Sequence, residues 1–523
     1  MERGEKEEKI ERGESGGNVE KMENVEKMKS GGKIENGEKR EFLRHAAVLS
    51  LSGFIAKLIG AAYRVPLANL VGGYGIGLYQ MVYPVYSLLL TLSATGIPTA
   101  ISKLVSERRA LGVSERSVFL SALKLFALIG GVGTLMMAIL APVLSAAQGT
   151  GEILSGYLAL APSVFLVSLI AVFRGYFQGG QQMFPTAFSE IAEQLIKVLF
   201  GLLFAYLYRG NTVKAVTFLL FAVTVSEAGS LVFMLLFYRR SARRTARRAN
   251  RHAAHRSALP LTAPQTPKPF QEGKHKVKDL LSLTVPVTLS TAILPLCGLV
   301  ESVLIVRLLR TYVPNAVSLY GLFSGGAVTV VNLPVSVAHG LASASVVSVS
   351  AAYARGDRPT ARRKIFFALF WTALFGLCSM LGLLVLARPA ARLLFAALPD
   401  NEIKILVRLI RIYSVSALFL PCAQTLSACL TGLGKPKKAA WSMSIAVAIR
   451  LALDVLLVGV QKFSVYGLAI AADVCYLVAF LGNLVYNLII TSMRRRANDY
   501  GSRIRYKQGR IDGGGKGGRF VGR

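Results

Sequence analysis

Residue types that mark enzyme and metal centres are scarce in this chain. Its 523 residues include five histidines, five cysteines and two tryptophans, and 61 basic residues outnumber 28 acidic ones. The sequence has no Walker GxxxxGK[ST] motif and no HExxH motif, so we expect neither ATP hydrolysis nor zinc-dependent hydrolysis. The cysteines lack CxxC and Cys/His spacing, which argues against a disulfide framework and a metal site. The sequence therefore favours a protein that is not an enzyme and holds no metal or cofactor.

Long apolar runs dominate what the chain does contain. Hydrophobic residues make up 53% of the sequence and charged residues 17%, which is typical of multi-spanning membrane proteins rather than of soluble domains. The runs are continuous and rich in Leu, Ala and Gly, whereas the strands of a membrane barrel would alternate apolar and polar residues. We therefore predict an all-α integral membrane protein.

The apolar runs fall into two groups of six. The first group is 46–71, 79–105, 117–144, 153–177, 185–208 and 213–238, and the second is 281–309, 318–350, 364–387, 406–431, 437–460 and 464–492. We expect about 12 transmembrane helices in two pseudo-symmetric six-helix lobes around a central cavity. The predicted domains are a disordered cytoplasmic tail (1–41), a first lobe (42–238), a basic cytoplasmic linker (239–278), a second lobe (279–492) and a basic Gly-rich cytoplasmic tail (493–523).

The net charge of +33 lies mostly in loops and tails, where Lys and Arg set the orientation of membrane helices. Connections after the even-numbered spans carry most of these cations, so both termini and the central linker are predicted to be cytoplasmic. Because loop cations have this role in polytopic proteins, we do not expect nucleic acid as a partner. The pattern over 388–411 suggests an amphipathic helix on the outer surface.

Shared local patterns suggest that the two groups of spans arose by internal duplication. Leu-Tyr opens both the second and the eighth span, and the turn QGGQQMFPTA after the fourth span resembles TGLGKPKKAA after the tenth. This alignment places Lys197 and Arg450 at equivalent positions. The two lobes would then share one orientation, related by an axis along the membrane normal. Chance similarity between apolar helices is the alternative interpretation.

Residues 173–198 place several ionisable groups inside an apolar region. Glu190, Glu193 and Lys197 fall on one helix face, since successive residues are about 100° apart. Charged groups inside a bilayer are costly, so this face is expected to meet a partner or a wet cavity. An intrahelical ion pair would satisfy these groups, and so would a bound sugar, peptide or coupling cation. Arg174, just before the turn, is interpreted as a topology anchor or as an entry point for phosphate.

Two cations on one face of the first span suggest an anion site. Lys57 and Arg64 are seven residues apart, with Gly60 between them on the same face. Away from bulk water, attraction between these cations and a pyrophosphate or other anionic head group strengthens. Lys57 lies too centrally to reach the membrane surface easily. Arg64 lies near the outer end of the span, so the alternative interpretation is that its side chain extends to the membrane surface.

The second lobe has ionisable groups of its own. Glu301 lies in a span that two prolines interrupt, and prolines free backbone carbonyls where a transporter needs a cavity or hinge. Arg307 lies nearer the outer end and can extend to the surface. Arg450 and Asp454 are four residues apart and form a natural intrahelical pair; mutual neutralisation and contact with substrate both explain them. We treat all these groups, with those of the first lobe, as candidate substrate-binding residues.

Two stretches carry a family resemblance: GFIAKLIGAAYRVPLANLVGGYGIGLYQMVYPVYSLLLTLSATGIPTAISKLVSE and FRGYFQGGQQMFPTAFSEIAEQLIKV. They closely resemble the stage V sporulation protein B family of polysaccharide-biosynthesis membrane proteins, over roughly residues 42–492. That family is similar to the lipid II flippases and belongs to the multidrug/oligosaccharidyl-lipid/polysaccharide exporter superfamily. The resemblance implies a two-lobed bundle in a bacterial cytoplasmic membrane. It also implies transport of an undecaprenyl-linked precursor for spore cortex or cell wall by alternating access.

Three functions compete on these grounds. The first is a flippase for an undecaprenyl-pyrophosphate-linked oligosaccharide or peptidoglycan precursor, driven by membrane potential or a coupling ion. The second is a cation-coupled multidrug exporter, whose site would be lined by carboxylates and aromatic rings. The third is a membrane scaffold that holds cell-wall synthesis enzymes or anionic lipid through 239–278. The cationic bias of the intramembrane charges favours the first, with a lipid-linked anionic glycan precursor as the substrate.

Overall fold

The part of the chain that the structure describes is built of helices. The computed structural model describes residues 51–256, 288, 291–354, 356–460 and 463–492, apart from 57, 61, 95 and 112. No strand occurs in these residues, so the predicted all-α class is confirmed. The predicted tails, Lys57 and the linker beyond Arg256 lie outside the described residues.

From residue 51 onward, where the described part of the chain begins, the first lobe contains six α-helices joined by short connections. They are α1 (Leu51–Ala94), α2 (Ile97–Ala110), α3 (Arg116–Ala147), α4 (Leu154–Gly179), α5 (Met183–Leu207) and α6 (Thr212–Arg256). Gly149 follows α3 with a φ of 78°, the left-handed conformation with which glycine commonly ends a helix. The apolar span of α6 ends at Arg243, and the helix continues into the predicted basic linker.

The first helix, α1, combines two predicted spans and is divided into two arms. If straight, its 44 residues would extend about 66 Å, about twice the hydrocarbon thickness of a bilayer. Gly72 interrupts the helical conformation with a φ of 69°, which glycine adopts without steric cost. Tyr63 and Tyr83, on either side of Gly72, line the same cavity. The two arms therefore lie close together, and the break coincides with the predicted GGYGIG turn.

Within the described residues, the second lobe contains eight α-helices. They are α7 (Ile293–Arg310), α8 (Ala316–Gly321), α9 (Val328–Ala354), α10 (Arg358–Leu394), α11 (Asp400–Tyr413), α12 (Ser416–Gly432), α13 (Pro436–Gly459) and α14 (Tyr466–Ser492). One π-helical turn, Leu322–Ala327, joins α8 to α9, so that these pieces form one continuous element. The side chain of Asp357 caps α10 by accepting a hydrogen bond from the backbone of Thr360.

Twelve membrane crossings are accounted for by these helices. Eight helices of the described residues are long and apolar enough to cross a membrane, and the α11–α12 pair, bent by 43°, is a ninth. The helices α5 and α7 have sufficient lengths, 25 and 18 residues, but each contains three charged side chains. When both are included and α1 is taken as two arms, the predicted number of crossings is confirmed.

The amphipathic helix expected over 388–411 differs from the prediction in position and in surroundings. The helix α10 continues to Leu394, and only α11 has the amphipathic pattern. The apolar residues Ile403, Leu406 and Ile410 of α11 are buried in the protein core rather than on an outer surface. This pattern therefore reflects packing within the second lobe, where a helix with one apolar stripe buries that stripe.

Apolar packing joins the lobes at one end, within the described residues. The largest cluster of buried side chains draws on both lobes and includes Tyr79 and Phe323. At the other end, one cluster around Ile101 belongs to the first lobe, and a separate cluster around Val349 belongs to the second. The lobes therefore meet at the end that holds the GGYGIG turn and have separate cores at the end predicted to be cytoplasmic.

Close backbone approach between glycines helps to join the lobes at that end. Gly77 of α1 packs against the backbone of Val317, and Gly321 of α8 packs against the backbone of Gly73 and Gly77. A β-carbon at Gly77 or Gly321 would collide with backbone atoms of the other lobe. The helix α1 therefore contacts the second lobe through its backbone.

Candidate functional site

A cavity of about 480 Å³ lies between the two lobes. Both arms of α1 and one face of α5 line it from the first lobe, while α7, α9, α12 and α14 line it from the second. The central cavity that the sequence predicts is therefore present, and both lobes contribute to its wall. A volume of this size is in the range of small-molecule sites, about 300–1,000 Å³.

The charged side chains of the cavity wall are cations. Among the described lining residues, Arg64 of α1 and Lys197 of α5 carry charge, and none is acidic. Both side chains are half-buried. Because the surroundings are less polar than bulk water, each cation acts on a ligand in the cavity more strongly than a surface cation would. The site therefore suits an anionic group.

Arg64 connects the lobes at the cavity wall. Its Nη1 donates a hydrogen bond to Oγ1 of Thr329 on α9, at 3.4 Å. The guanidinium has five N–H donors, so this single contact leaves donors for a ligand. The structure thus places Arg64 in the cavity rather than extended toward the outer surface.

Uncharged polar and aromatic side chains complete the cavity wall, and sequence reasoning missed them. Four tyrosines and a group of amides and hydroxyls line it: Tyr63, Tyr79, Tyr83, Tyr476, Gln194, Thr329, Asn332, Ser336 and Gln424. The rings of Tyr79 and Tyr83 are stacked, with centroids 5.4 Å apart. Oε1 of Gln424 is buried and has no hydrogen-bond partner among the described residues. The polar stripe on α9, at intervals of three and four residues, is the sequence signal that would have indicated this wall.

The predicted charged face of α5 is divided between the cavity and an ion pair. Lys197 lines the cavity, but Glu193 accepts a 2.9 Å contact from Nη2 of Arg174 on α4. Nε of Arg174 also donates to Oγ of Ser189 at 3.2 Å. Arg174 is therefore an interhelical partner of α5 rather than a free topology anchor. Glu190, which does not line the cavity, accepts a hydrogen bond from Oγ of Ser52 at 3.2 Å.

A buried acid lies near this ion pair. Glu227 of α6 is almost fully buried, and the hydroxyl of Tyr86 lies 3.5 Å from its Oε1. Arg174, Glu193 and Lys197 are its charged neighbours. These groups lie near one another inside the first lobe, and Lys197 also lines the cavity.

The second lobe contains a tighter ion pair. Nε and Nη2 of Arg450 on α13 contact Oε1 and Oε2 of Glu301 on α7, at 2.7 and 2.9 Å. Asp454 is the weaker partner, with Oδ2 3.7 Å from Nε of Arg450. Sγ of Cys297 also donates to Glu301, at 3.1 Å. The predicted intrahelical pair thus exists, but the principal partner of Arg450 lies on another helix.

The candidate residues of the second lobe do not line the cavity. Glu301, Arg450 and Asp454 are buried between α7 and α13, and none of them lies in the cavity wall. Arg307 is exposed and also lies outside the wall. Of the sequence candidates that the structure describes, Arg64 and Lys197 alone line the cavity.

Comparison with known proteins decides the family. The model of the polysaccharide biosynthesis protein family matches residues 42–347, more than half of the chain. The chain belongs to this family. A second family model, MatE, matches residues 282–456 of the chain.

Two relatives from Bacillus subtilis (strain 168) are similar to this chain over most of its length. Stage V sporulation protein B is 25% identical over 366 residues, which cover 69% of this chain and 68% of the relative. Lipid II flippase MurJ is 22% identical over 488 residues, which cover 90% of this chain and 85% of the relative. The resemblance inferred from the sequence is therefore confirmed.

Solved structures share the fold of this chain. An inward-facing multidrug resistance MATE family transporter of the MOP superfamily matches with a TM-score of 0.68 and 15% identity, covering 86% of this chain and 99% of that chain. Lipid II flippase MurJ in an inward closed conformation matches with a TM-score of 0.61 and 16% identity, and the match covers 86% of this chain and 90% of that chain. The two-lobed helical membrane fold is thus common to all three.

Proposed function

We propose that this protein is a flippase that moves a lipid-linked glycan precursor with a pyrophosphate group across the membrane. The observation that carries the proposal is the charge of the central cavity. Among the described residues that line it, Arg64 and Lys197 carry charge. Both are cations, and they lie on two different helices. A pyrophosphate is attracted by both, whereas an organic cation would be repelled by both.

The uncharged part of the wall suits the sugar portion of such a substrate. Asn332, Gln194 and Gln424 provide amide donors and acceptors that can pair with hydroxyl groups. The tyrosines offer rings with an apolar face and a polar tip. The cavity has room for a head group, and the polyprenyl chain would remain in the surrounding bilayer.

The proposed binding residues are Arg64 and Lys197, with Lys57 as a third cation on the sequence argument. We assign a different role to the ion pairs Arg174–Glu193 and Glu301–Arg450. Each pair joins two helices within one lobe, so each helps to hold that lobe as a unit while the lobes move relative to each other. Alternating access between two such units would be driven by membrane potential or by a coupling ion.

The setting of the proposed activity follows from the relatives and the loop charges. The names stage V sporulation protein B and lipid II flippase support a precursor of spore cortex or cell wall, with cell-wall synthesis enzymes as partners. We place the chain in a bacterial cytoplasmic membrane with both termini and the 239–278 linker inside. The lobe boundaries at 42–238 and 279–492 belong to the same proposal. The substrate is moved without chemical change.

A flipping assay in vesicles tests this function directly. The full chain is reconstituted with a fluorescent undecaprenyl-pyrophosphate sugar, and the fraction that crosses the bilayer is measured with a membrane-impermeant quencher. We expect the protein to accelerate crossing, and we expect no export of a lipophilic drug cation from the same vesicles. Drug export without movement of any polyprenyl-pyrophosphate sugar would refute the proposal in favour of a multidrug exporter.

A deletion variant tests the alternative that the protein is a membrane scaffold. Deletion of 239–278 removes the basic linker but leaves the cavity residues in place. A flippase retains measurable flipping in vesicles after this deletion, whereas a scaffold loses its cellular role while charge reversal at Lys57 and Lys197 has no effect.

A further inference from the structure

A second cavity, of about 510 Å³, lies between α9 and α10 of the second lobe. It is separate from the central cavity and shares no lining residue with it. Gly356, with a φ of 74°, allows the tight turn between the two helices. We call this cavity the hairpin groove and define it by Ser345, Ser348, Arg363, Lys364, Phe367 and Trp371.

The groove exists because small side chains meet along the hairpin. Ser345 and Ser348 of α9 line it together with Ala368 of α10. The two serines are three residues apart on α9, so both lie on the face toward the groove. Small residues at facing positions leave a volume that larger side chains would fill.

The mouth of the groove is basic. Arg363 and Lys364 both line it, and no acidic residue does so among the described lining residues. Nζ of Lys364 donates to the carbonyl of Ser348 at 3.2 Å, which holds the ammonium over the groove. No described residue forms an ion pair with Arg363 or Lys364. Two neighbouring cations without a carboxylate attract an anion, above all a phosphate.

The wall of the groove is apolar and largely exposed. Phe367 and Trp371 follow the two cations on the same face of α10 and are 65% and 47% exposed. The order from cation to aromatic ring is that of a lipid-facing helix at the membrane interface, where Trp is enriched. This end of the lobe is predicted to be cytoplasmic, and the cytoplasmic leaflet carries the anionic lipids.

We propose that the hairpin groove binds an anionic membrane phospholipid. The lipid phosphate lies between Arg363 and Lys364, and one acyl chain lies along Phe367 and Trp371. A soluble phosphate would use the cations but would leave the apolar wall without a ligand, so the combination favours a lipid. This site is independent of the proposed flippase activity, because the central cavity takes no part in it.

Lipid titration with native mass spectrometry tests the proposal. The probes are phosphatidylglycerol and phosphatidylcholine, added to the full-length detergent-solubilised protein. We expect the wild type to bind phosphatidylglycerol in preference to phosphatidylcholine. In R363Q/K364Q the affinity for phosphatidylglycerol should fall roughly tenfold, since each cation near a membrane surface contributes to the attraction of anionic lipid.

Two further variants separate a groove from general electrostatics. R362Q/K437Q removes the same charge at exposed positions of the same end, outside the groove, and should bind phosphatidylglycerol like the wild type. S348L fills the groove without a change of charge and should weaken binding as R363Q/K364Q does. Equal loss in R362Q/K437Q and R363Q/K364Q, or unchanged binding in S348L, would overturn the proposal.

Discussion

Lys197 and Arg450 are equivalent in the internal repeat that the sequence suggests, yet the two lobes surround them differently. Lys197 is half-buried in the wall of the central cavity. Arg450 is buried within the second lobe and is held by Glu301 through two contacts of 2.7 and 2.9 Å. A cation in a membrane protein is tolerated where it meets water or where it meets a carboxylate. Only the first arrangement leaves the charge available to a ligand.

The first lobe also contains an arginine, Arg174, whose charge is neutralised by a carboxylate. Arg174 is paired with Glu193 at 2.9 Å, as Arg450 is paired with Glu301. Among the described residues, each lobe therefore contains a largely buried arginine–carboxylate pair between two of its helices. The cations that line the cavity, Arg64 and Lys197, both come from the first lobe. The positive charge that lines the cavity therefore comes from one lobe.

The largest expected effect is a loss of stability in Arg450→Ala, which breaks the buried ion pair of the second lobe. The substitution leaves Glu301 and Asp454 buried without their cation, and loss of one partner of a buried ion pair costs about 3–5 kcal/mol. The measurement is the free energy of unfolding in detergent, followed by circular dichroism. Lys197→Ala is the matched control and should cost less than about 1 kcal/mol, because no described residue forms an ion pair with Lys197.

A double variant makes that prediction sharper. In Glu301→Gln/Arg450→Met both charges are absent, and replacing a buried pair by uncharged groups of similar size is often close to neutral. The double variant should therefore be more stable than Arg450→Ala alone. If Arg450→Ala were as stable as the wild type, the buried pair would have no structural role.

Charge reversal of Lys197 should have the next largest effect, on transport rather than on stability. Lys197→Glu places a carboxylate in the cavity wall, and like-charge contact with a pyrophosphate costs several kcal/mol, so the flipping rate should fall on the order of 100-fold. Flipping in vesicles is the measurement. Lys214→Glu, at an exposed position outside the cavity, is the control and should flip normally. A drop of equal size in both variants would contradict a specific role for Lys197.

A smaller effect is expected at Arg64, the other cation of the cavity. Arg64→Gln removes the charge but keeps a hydrogen-bond donor for Thr329, so flipping should fall about tenfold, as expected for the loss of one charge-assisted contact. Arg64→Lys keeps the charge and should retain most of the activity. Equal activity of Arg64→Gln and the wild type would show that this cation does not contact the substrate.

The smallest effect is expected from Asp454→Asn. Asp454 is fully buried, but its Oδ2 lies 3.7 Å from Nε of Arg450, which is longer than a hydrogen bond. The isosteric amide should therefore cost about 1 kcal/mol of unfolding free energy. Glu301→Gln, which loses the two short contacts to Arg450, should cost more. The reverse order would make Asp454 the principal partner.

The helical spans could be predicted from the sequence because a bilayer requires long apolar segments, and these are local. The same locality explains two errors of detail. The apolar pattern predicts the first two spans as separate helices, but the break between them is a single glycine, Gly72, within α1. It also predicts the segment 388–411 on the outer surface, yet α11 buries its apolar face. An amphipathic stripe reveals that a face is covered, not what covers it.

The candidate site could be predicted only in part. Charges within apolar spans are enough to identify Arg64 and Lys197 as candidates, since such groups are costly and rare. The partners of the other charges were not predictable, because Glu301 and Arg450 are 149 positions apart and only tertiary packing brings them together. The uncharged cavity residues gave a weaker signal, the polar stripe of α9 that includes Asn332, since polar residues also occur in helices that bind nothing.

Composition and the order of apolar segments by themselves determined that this is a helical membrane protein with two groups of spans, and that its ionisable groups are mostly cationic. Those properties depend on the transfer of local segments from water to lipid, which neighbours in sequence decide. Only the tertiary structure decided which charges neutralise each other and which face the cavity. Coulomb interactions depend on distances between helices that are far apart in the chain, and these distances exist only after the lobes have packed.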